Sequence, residues 1–108
     1  MTPKKNRADR DAIEKIFKAG KFLNSPGLTF KFITENGSSL PRISFIVPKT
    51  VAKGAVERNR LRRRGYSALE KCIAHFPDWI TGAFVFKKSS MKKEDIENEI
   101  KSILSKIN

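Results

Sequence analysis

The hydrophobic period of the chain changes twice between residues 28 and 86, and this change most constrains the fold. Residues 28–34 and 41–47 alternate apolar and polar side chains, as half-buried strands do. From about residue 55 to 73 the apolar positions follow a helical period, and residues 81–86 again resemble a strand. A strand, a helix and a strand in succession predict one mixed sheet with helices packed on it.

Two further helices are predicted near the ends of the chain. Residues 9–19 carry apolar side chains at i, i+3 and i+4, and Gly20 follows as a stop signal. Apolar residues between 96 and 107 also recur at helical spacing, with Ser90 as an imperfect cap before them. The expected order is helix, two or three strands, helix, strand and helix, which makes an α+β protein.

The pairing of the first strands is predicted from the turns between them. Residues 35–38, Glu-Asn-Gly-Ser, are typical of a hairpin turn, so we expect strands 28–34 and 41–47 to pair antiparallel. An additional short strand at residues 20–23 would set Phe22 beside Ile33. Its brief pattern leaves that strand an open alternative.

The net charge of the chain indicates what kind of molecule the protein binds. The 108 residues suffice for one domain, residues 1–108, and the 39% hydrophobic content supports a folded core. Lys and Arg number 23 against 11 Asp and Glu, for a net charge of +12, which concentrates polyanions at the surface. We therefore expect a folded protein that binds nucleic acid or an anionic membrane.

The cysteine count and the hydropathy pattern predict a cellular setting. Cys72 is the single cysteine, so no disulfide partner exists within the chain. No apolar run approaches the roughly 18 residues of a membrane span, and the N-terminus lacks the apolar stretch of a signal peptide. These features predict a cytoplasmic protein.

Residues 49–64 carry the most specific functional pattern. Seven Lys or Arg side chains and one acid, Glu57, lie where a loop runs into the long helix, and the stretch from Arg58 to Arg64 contains no acid. Arginines this close together repel one another unless a polyanion neutralises them, and guanidinium groups bind phosphate oxygens bidentately. The pattern predicts a nucleic-acid-binding helix.

The apolar stripe of the same helix makes a membrane-surface element the least favoured of the functions considered. The stripe contains Leu61, Gly65, Leu69 and Ile73, and the predicted sheet requires this face for its own burial. A helix that lies on lipid needs a free apolar face. The cations on the opposite side are accordingly expected to face a polyanion in solution.

Residues 47–63, VPKTVAKGAVERNRLRR, resemble the central motif of the bacterial ribonuclease P protein subunit. That motif runs from a strand through a Lys-bearing loop to Ala-x-x-Arg-Asn-Arg-x-Lys/Arg-Arg. Residues 16–20, Ile-Phe-Lys-Ala-Gly, resemble the end of that family's first helix, and residues 83–87 its strand after the long helix. The resemblance covers most of the chain in the same order.

The resemblance implies a fold and a function. The fold would be an αβββαβα sandwich, with a mixed four-stranded sheet and a left-handed βαβ crossover. The function would be that of the protein subunit of an endoribonuclease that matures the 5′ end of tRNA. A catalytic RNA and Mg²⁺, bound mainly by that RNA, would perform the cleavage, and the protein would bind this RNA and the 5′ leader of precursor tRNA.

The resemblance also implies two sets of contact residues. The catalytic RNA would be contacted by Lys49, Lys53, Arg58, Asn59, Arg60, Arg62, Arg63 and Arg64. The leader would lie in a cleft between the first helix and the sheet, lined by Ile13, Phe17, Phe30, Lys31 and Phe32. Ile13 stands where the family has an aromatic residue, and either Phe30 or Phe32 faces the cleft, or Lys31 occupies the aromatic position.

The residue inventory favours no protein-based catalysis. His75 is the only histidine, and neither a metal-ligand spacing nor an acid–base pair is evident in the sequence. We therefore expect no catalytic residue and no metal ligand in the protein. The alternative function is that of a ribosome-associated structural RNA-binding protein, because similar charge and a related fold occur there.

Overall fold

The computed structural model of the chain describes residues 10–34 and 40–107. The elements are α1 (Arg10–Ala19), β1 (Lys21–Asn24), β2 (Leu28–Ile33), β3 (Arg42–Ile46), α2 (Ala55–Glu70), β4 (Thr81–Phe86) and α3 (Lys93–Ile107). A 3-10 turn, Ile73–His75, leads from α2 towards β4. The α+β class and the αβββαβα order are confirmed, and the short strand that the sequence left open is present as β1.

Two helix boundaries differ from the predictions. α2 ends at Glu70 because the chain tightens there, with the Cys72 N–H donating to the Leu69 carbonyl at 2.8 Å. α3 begins at Lys93 and not beside Ser90. The Lys92 N–H donates to the Asp95 carboxylate at 3.1 Å, so an acid of the first turn satisfies this backbone donor.

The sheet has the order β1-β2-β4-β3, so the predicted pairing of β2 with β3 is wrong. β4 lies between them, antiparallel to β2 and parallel to β3. The physical reason is that β4 is buried along almost its whole length, as a central strand must be. The described hairpin joins β1 to β2. The turn predicted at residues 35–38 lies outside the described residues.

One face of the sheet carries the main hydrophobic core. The rings of Phe30, Phe84 and Phe45 stack across three strands, with centroid separations of 4.4 Å and 5.2 Å. α2 covers this face with its apolar stripe, and the Tyr66 hydroxyl accepts a hydrogen bond from the Phe45 N–H at 3.2 Å. α3 packs beside α2 and adds Ile96, among others, to the same core.

α1 packs on the opposite face of the sheet, against β2 and β4. Ile16 is buried there, and so is Ala83, which alternates along β4 with the core residue Phe84. Lys31 alternates in the same way with Phe30 and approaches the Phe17 ring of α1. The sheet thus lies between α1 on one face and α2 with α3 on the other. α1 does not cover its face of the sheet completely, and side chains such as Phe22 remain exposed there.

Candidate nucleic-acid interface

The basic cluster predicted from the sequence forms an exposed surface on α2. We call it the arginine row, and it comprises Arg58, Asn59, Arg60, Arg62, Arg63 and Arg64. Within α2, Leu61, Gly65 and Leu69 face the sheet and are buried. Because a helix places only about every third or fourth residue on one face, the arginine row occupies the rest of the circumference. Arg58 and Arg62 are half-buried, and the other members are exposed.

Arg58 connects the arginine row to the loop before α2. Its Nη1 donates to the carbonyl oxygens of Ala52 at 3.0 Å and Lys53 at 2.6 Å. The loop is further closed by the Ala52 N–H, which donates to the Pro48 carbonyl. Lys49 and Lys53 are exposed on this loop. The structure therefore brings both predicted loop lysines next to the start of α2.

Two more arginines of the row have partners. An Arg62 guanidinium nitrogen donates to the Asn59 side-chain oxygen one turn earlier. Arg64 Nη1 donates to the Met91 carbonyl at 3.2 Å, across the gap between α2 and the segment before α3. The side chains of Arg60 and Arg63 make no hydrogen bond or ion pair with any residue that the structure describes.

The arginine row has no acidic partner in the part of the chain that the structure describes. In residues 10–34 and 40–107, no arginine of the row forms an ion pair with a carboxylate, whereas Lys71 and Lys101 both pair with Glu97. The partners of Arg58, Arg62 and Arg64 are carbonyl or amide oxygens, which leave the positive charge uncompensated. Arg58, Arg62 and Arg64 are thus held in position, and the row stays available to a polyanion.

The α1 side of the sheet forms a second candidate surface. The Lys31 ammonium lies 4.7 Å from the centroid of the Phe17 ring, within the range of a cation–π interaction. Phe22 lies opposite Lys31 in the β1–β2 register, so both side chains share this face. Phe22 is 62% exposed and Phe17 is 47% exposed. Ile13 is half-buried on the same helix as Phe17.

Two of the predicted cleft residues do not reach this surface. Phe30 is fully buried and Phe32 is 8% exposed, and both belong to the core under α2 and α3. The reason is the register of β2, in which Leu28, Phe30 and Phe32 alternate with residues that face α1. Of the alternatives left open by the sequence, the structure places Lys31 towards α1.

The sequence alone gave little weight to other residues of the α1 side. The sequence did not predict Phe22 as a surface residue of this side, because the pattern of β1 is too short. The pairing of β1 with β2 shows that Phe22 lies on the same face of the sheet as Lys31. Arg42 and Thr81 are register partners on the same side. The Arg42 Nε and the Thr81 Oγ1 are buried and find no hydrogen-bond partner among the described residues. No local pattern predicts this pair, because its members are 39 residues apart.

The side chains offer little for a protein-bound metal. Among the described residues, no group of three or more His, Cys, Asp or Glu side chains comes together in a way that holds a metal ion. None of the helices in the described part of the chain has the length and apolar character to cross a membrane.

An α+β fold whose arginine row has no carboxylate partner among the described residues is typical of basic proteins that bind polyanions. The family model of ribonuclease P matches residues 1–108. The chain therefore belongs to the ribonuclease P protein family, whose members act together with an RNA in the 5′ maturation of tRNA.

The comparisons with individual proteins agree with this family. A ribonuclease P protein component from Pseudanabaena is 25% identical over 109 residues, covering 98% of this chain and 94% of that protein. The RNase P protein from Thermotoga maritima is similar in fold, with a TM-score of 0.81, 21% identity, and 94% and 97% of the two chains covered. The RNase P protein from Staphylococcus aureus also gives 0.81, with 17% identity and 95% of each chain covered.

Proposed function

We propose that this chain is the subunit of ribonuclease P that binds the catalytic RNA through α2 and the 5′ leader of precursor tRNA on its α1 side. The observation that carries the proposal is the arginine row, which is exposed and has no carboxylate partner among the described residues. Such a row stays electrostatically strained until phosphates neutralise it. A folded RNA supplies closely spaced phosphates to several guanidinium groups at once.

The α1 side supports the assignment of the leader to this face. Single-stranded nucleic acids bind where aromatic rings stack on bases and cations contact the backbone. Phe17 and Phe22 are exposed aromatic residues there. Lys31 contacts the Phe17 ring and lies opposite Phe22 on the neighbouring strand. The leader is the single-stranded part of the substrate and so fits this surface.

We assign the cleavage step to the RNA partner and to the Mg²⁺ that it holds. The role of the protein is to neutralise phosphates and to position the substrate. His75 lies exposed in the 3-10 turn after α2. Precursor tRNA is processed in the cytoplasm, and we place the protein there.

A reconstitution assay tests the proposal. A bacterial ribonuclease P RNA and a precursor tRNA are mixed at low Mg²⁺ and physiological salt, with and without the protein, and initial rates of 5′ cleavage are compared. We expect the protein to raise the rate with RNA present and to cleave nothing by itself. Arg60→Ala should reduce the stimulation, whereas Lys101→Ala on the far part of α3 should not.

Two results would contradict the proposal. Cleavage of precursor tRNA by the protein without RNA would place the chemistry in the polypeptide. Recovery of the protein with ribosomal subunits in high salt, together with no stimulation of the catalytic RNA, would favour the ribosome-associated alternative instead.

A further inference from the structure

A groove runs along the flank of α2 beside the segment that joins β4 to α3. Two cavities of about 480 Å³ and 390 Å³ make up the groove, and Arg64 lines both. Arg60 and Ser89 line the first cavity, and Lys92 and Lys93 line the second. We call this feature the flank groove. It extends beyond the arginine row onto a part of the chain to which the sequence assigned no role.

The walls of the flank groove are fixed in position. Met91 is buried in the core at 1% exposure, so the segment after β4 is anchored at this point. Arg64 Nη1 donates to the Met91 carbonyl at 3.2 Å, which ties α2 to that segment. A guanidinium group has five N–H donors, so Arg64 retains donors for a ligand after this one bond. The groove therefore presents a pre-organised cation.

The charges around the flank groove are predominantly positive. Arg60, Arg64, Lys92 and Lys93 line it, with Glu57 at one end as the acid of the lining. Asp95 and Glu94 follow in the first turn of α3, and the Asp95 carboxylate already accepts the Lys92 N–H. Lys87 and Lys88, which precede the groove segment, are also exposed. The balance of these charges selects an anionic ligand.

The shape of the flank groove selects an extended anion. Arg60 and Arg64 are four residues apart and so lie about 6 Å apart along the helix axis. That spacing is comparable to the separation of successive phosphates in a nucleic-acid strand. Both cavities are open to solvent, and they are neighbours because Arg64 lines each of them. A single small anion would occupy one of them, whereas a phosphodiester backbone spans both.

We propose that the flank groove binds the sugar–phosphate backbone of the catalytic RNA, with Lys92 and Lys93 as phosphate contacts. The RNA-binding surface then continues from the arginine row across Arg64 to the start of α3. This inference rests on the proposed function, because it takes the same RNA as the ligand. It adds a second segment of the chain to the interface.

The salt dependence of RNA binding tests this proposal. The double variant Lys92→Gln/Lys93→Gln is compared with Lys101→Gln/Lys106→Gln, which removes the same charge from the far end of α3. The probe is a ribonuclease P RNA without tRNA, and dissociation constants are measured from 0.1 to 0.4 M salt. We expect the groove variant to lower the slope of log K against log salt by about 1.4 to 1.8, and the control by less than about 0.5.

A second measurement maps the contact directly. Lysine acetylation is followed by mass spectrometry with and without the same RNA, and we expect Lys92 and Lys93 to be protected while Lys101 is not. Equal slopes for the two double variants, or unchanged acetylation of Lys92 and Lys93, would overturn the groove assignment. The proposed function would still hold in that case if RNA binding by the unaltered protein depends steeply on salt and Arg60→Ala reduces this dependence. No salt-dependent binding by the unaltered protein overturns both proposals.

Discussion

Gly65 of α2 lies against the ring of Phe45 in β3, so closely that a Cβ at position 65 would come within 2.6 Å of the ring Cδ1. The next residue, Tyr66, accepts the Phe45 N–H through its hydroxyl and packs its ring edge-on against the Phe45 ring at 5.1 Å. Phe45 is therefore held by two successive residues of the helix. This contact sets how closely α2, and with it the arginine row, approaches the sheet.

Replacement of Gly65 by Ala should destabilise the protein in spite of the better helix propensity of alanine. The propensity gain is about 1 kcal/mol, whereas overpacking of a core costs about 1 to 3 kcal/mol. We expect a net loss of about 1 kcal/mol in the free energy of unfolding by urea. The control is the same substitution in a Phe45→Leu background, which removes the ring that a Cβ at position 65 would meet, and an equal loss in both backgrounds would disprove the packing argument.

Thr81→Val should stabilise the protein. The Thr81 side chain is 2% exposed, and its Oγ1 has no hydrogen-bond partner among the described residues. Valine keeps the shape and removes the unpaired hydroxyl, so we expect a gain of about 1 kcal/mol in thermal or urea unfolding. Thr81→Ser keeps the hydroxyl and loses a methyl group, and it should destabilise. A stabilising Thr81→Ser would show that the hydroxyl is not the cause.

Because of Cys72, the stability of the protein should fall as the pH rises above the ordinary pKa of a thiol. Burial raises the pKa of Cys72 above 9.0, and the nearby Lys101 and Lys71 oppose this only in part. The folded state then holds the proton more tightly than the unfolded state, so this stability is present below pH 9.0 and is lost as the pH rises towards the folded pKa. The free energy of unfolding by urea is measured from pH 8 to 10.5 for the protein and for Cys72→Ala, and the difference between the two values should shrink as the pH rises. A constant difference would contradict this.

Arg58→Ala and Arg60→Ala should differ in their effect on stability. Arg58 donates to two loop carbonyls, so its loss should cost about 1 kcal/mol of unfolding free energy as well as RNA affinity. The Arg60 side chain has no partner among the described residues and is repelled by its neighbours, so its loss should not lower stability and should raise it slightly. Each variant should lower the salt slope of RNA binding by about 0.9 per phosphate contact. Equal thermal stability of the two variants would mean that Arg58 does not hold the loop.

Phe22→Ala should weaken the binding of precursor tRNA in a leader-dependent way. Phe22 is exposed on the face of the sheet that also carries Lys31, and stacking of one base contributes about 1 to 3 kcal/mol. We expect at least about a fivefold weaker affinity of the ribonucleoprotein for precursor tRNA. Mature tRNA, which lacks the leader, serves as the matched control. The same loss with both RNAs would place Phe22 outside the leader site.

Local patterns sufficed for most elements and for the arginine row. The stripe of Leu61, Gly65 and Leu69 predicted which face of α2 is buried, and the cations had to lie on the rest of its surface. Helical periodicity depends on neighbours three or four residues apart, so this information is contained in the segment itself. The resemblance to the family implied three strands before α2, where the hydrophobic pattern had left two or three.

The sequence by itself thus determined the elements, the charge and the helix that carries the arginines. Only the tertiary structure decided that β4 separates β2 from β3, that Lys31 and not Phe30 or Phe32 faces α1, and that Arg64 reaches the segment before α3. Strand partners and the layer that covers each face of a sheet are set by contacts between residues far apart in the chain. A period of two shows that a strand has two faces, but the packing of the helices decides which face each helix covers.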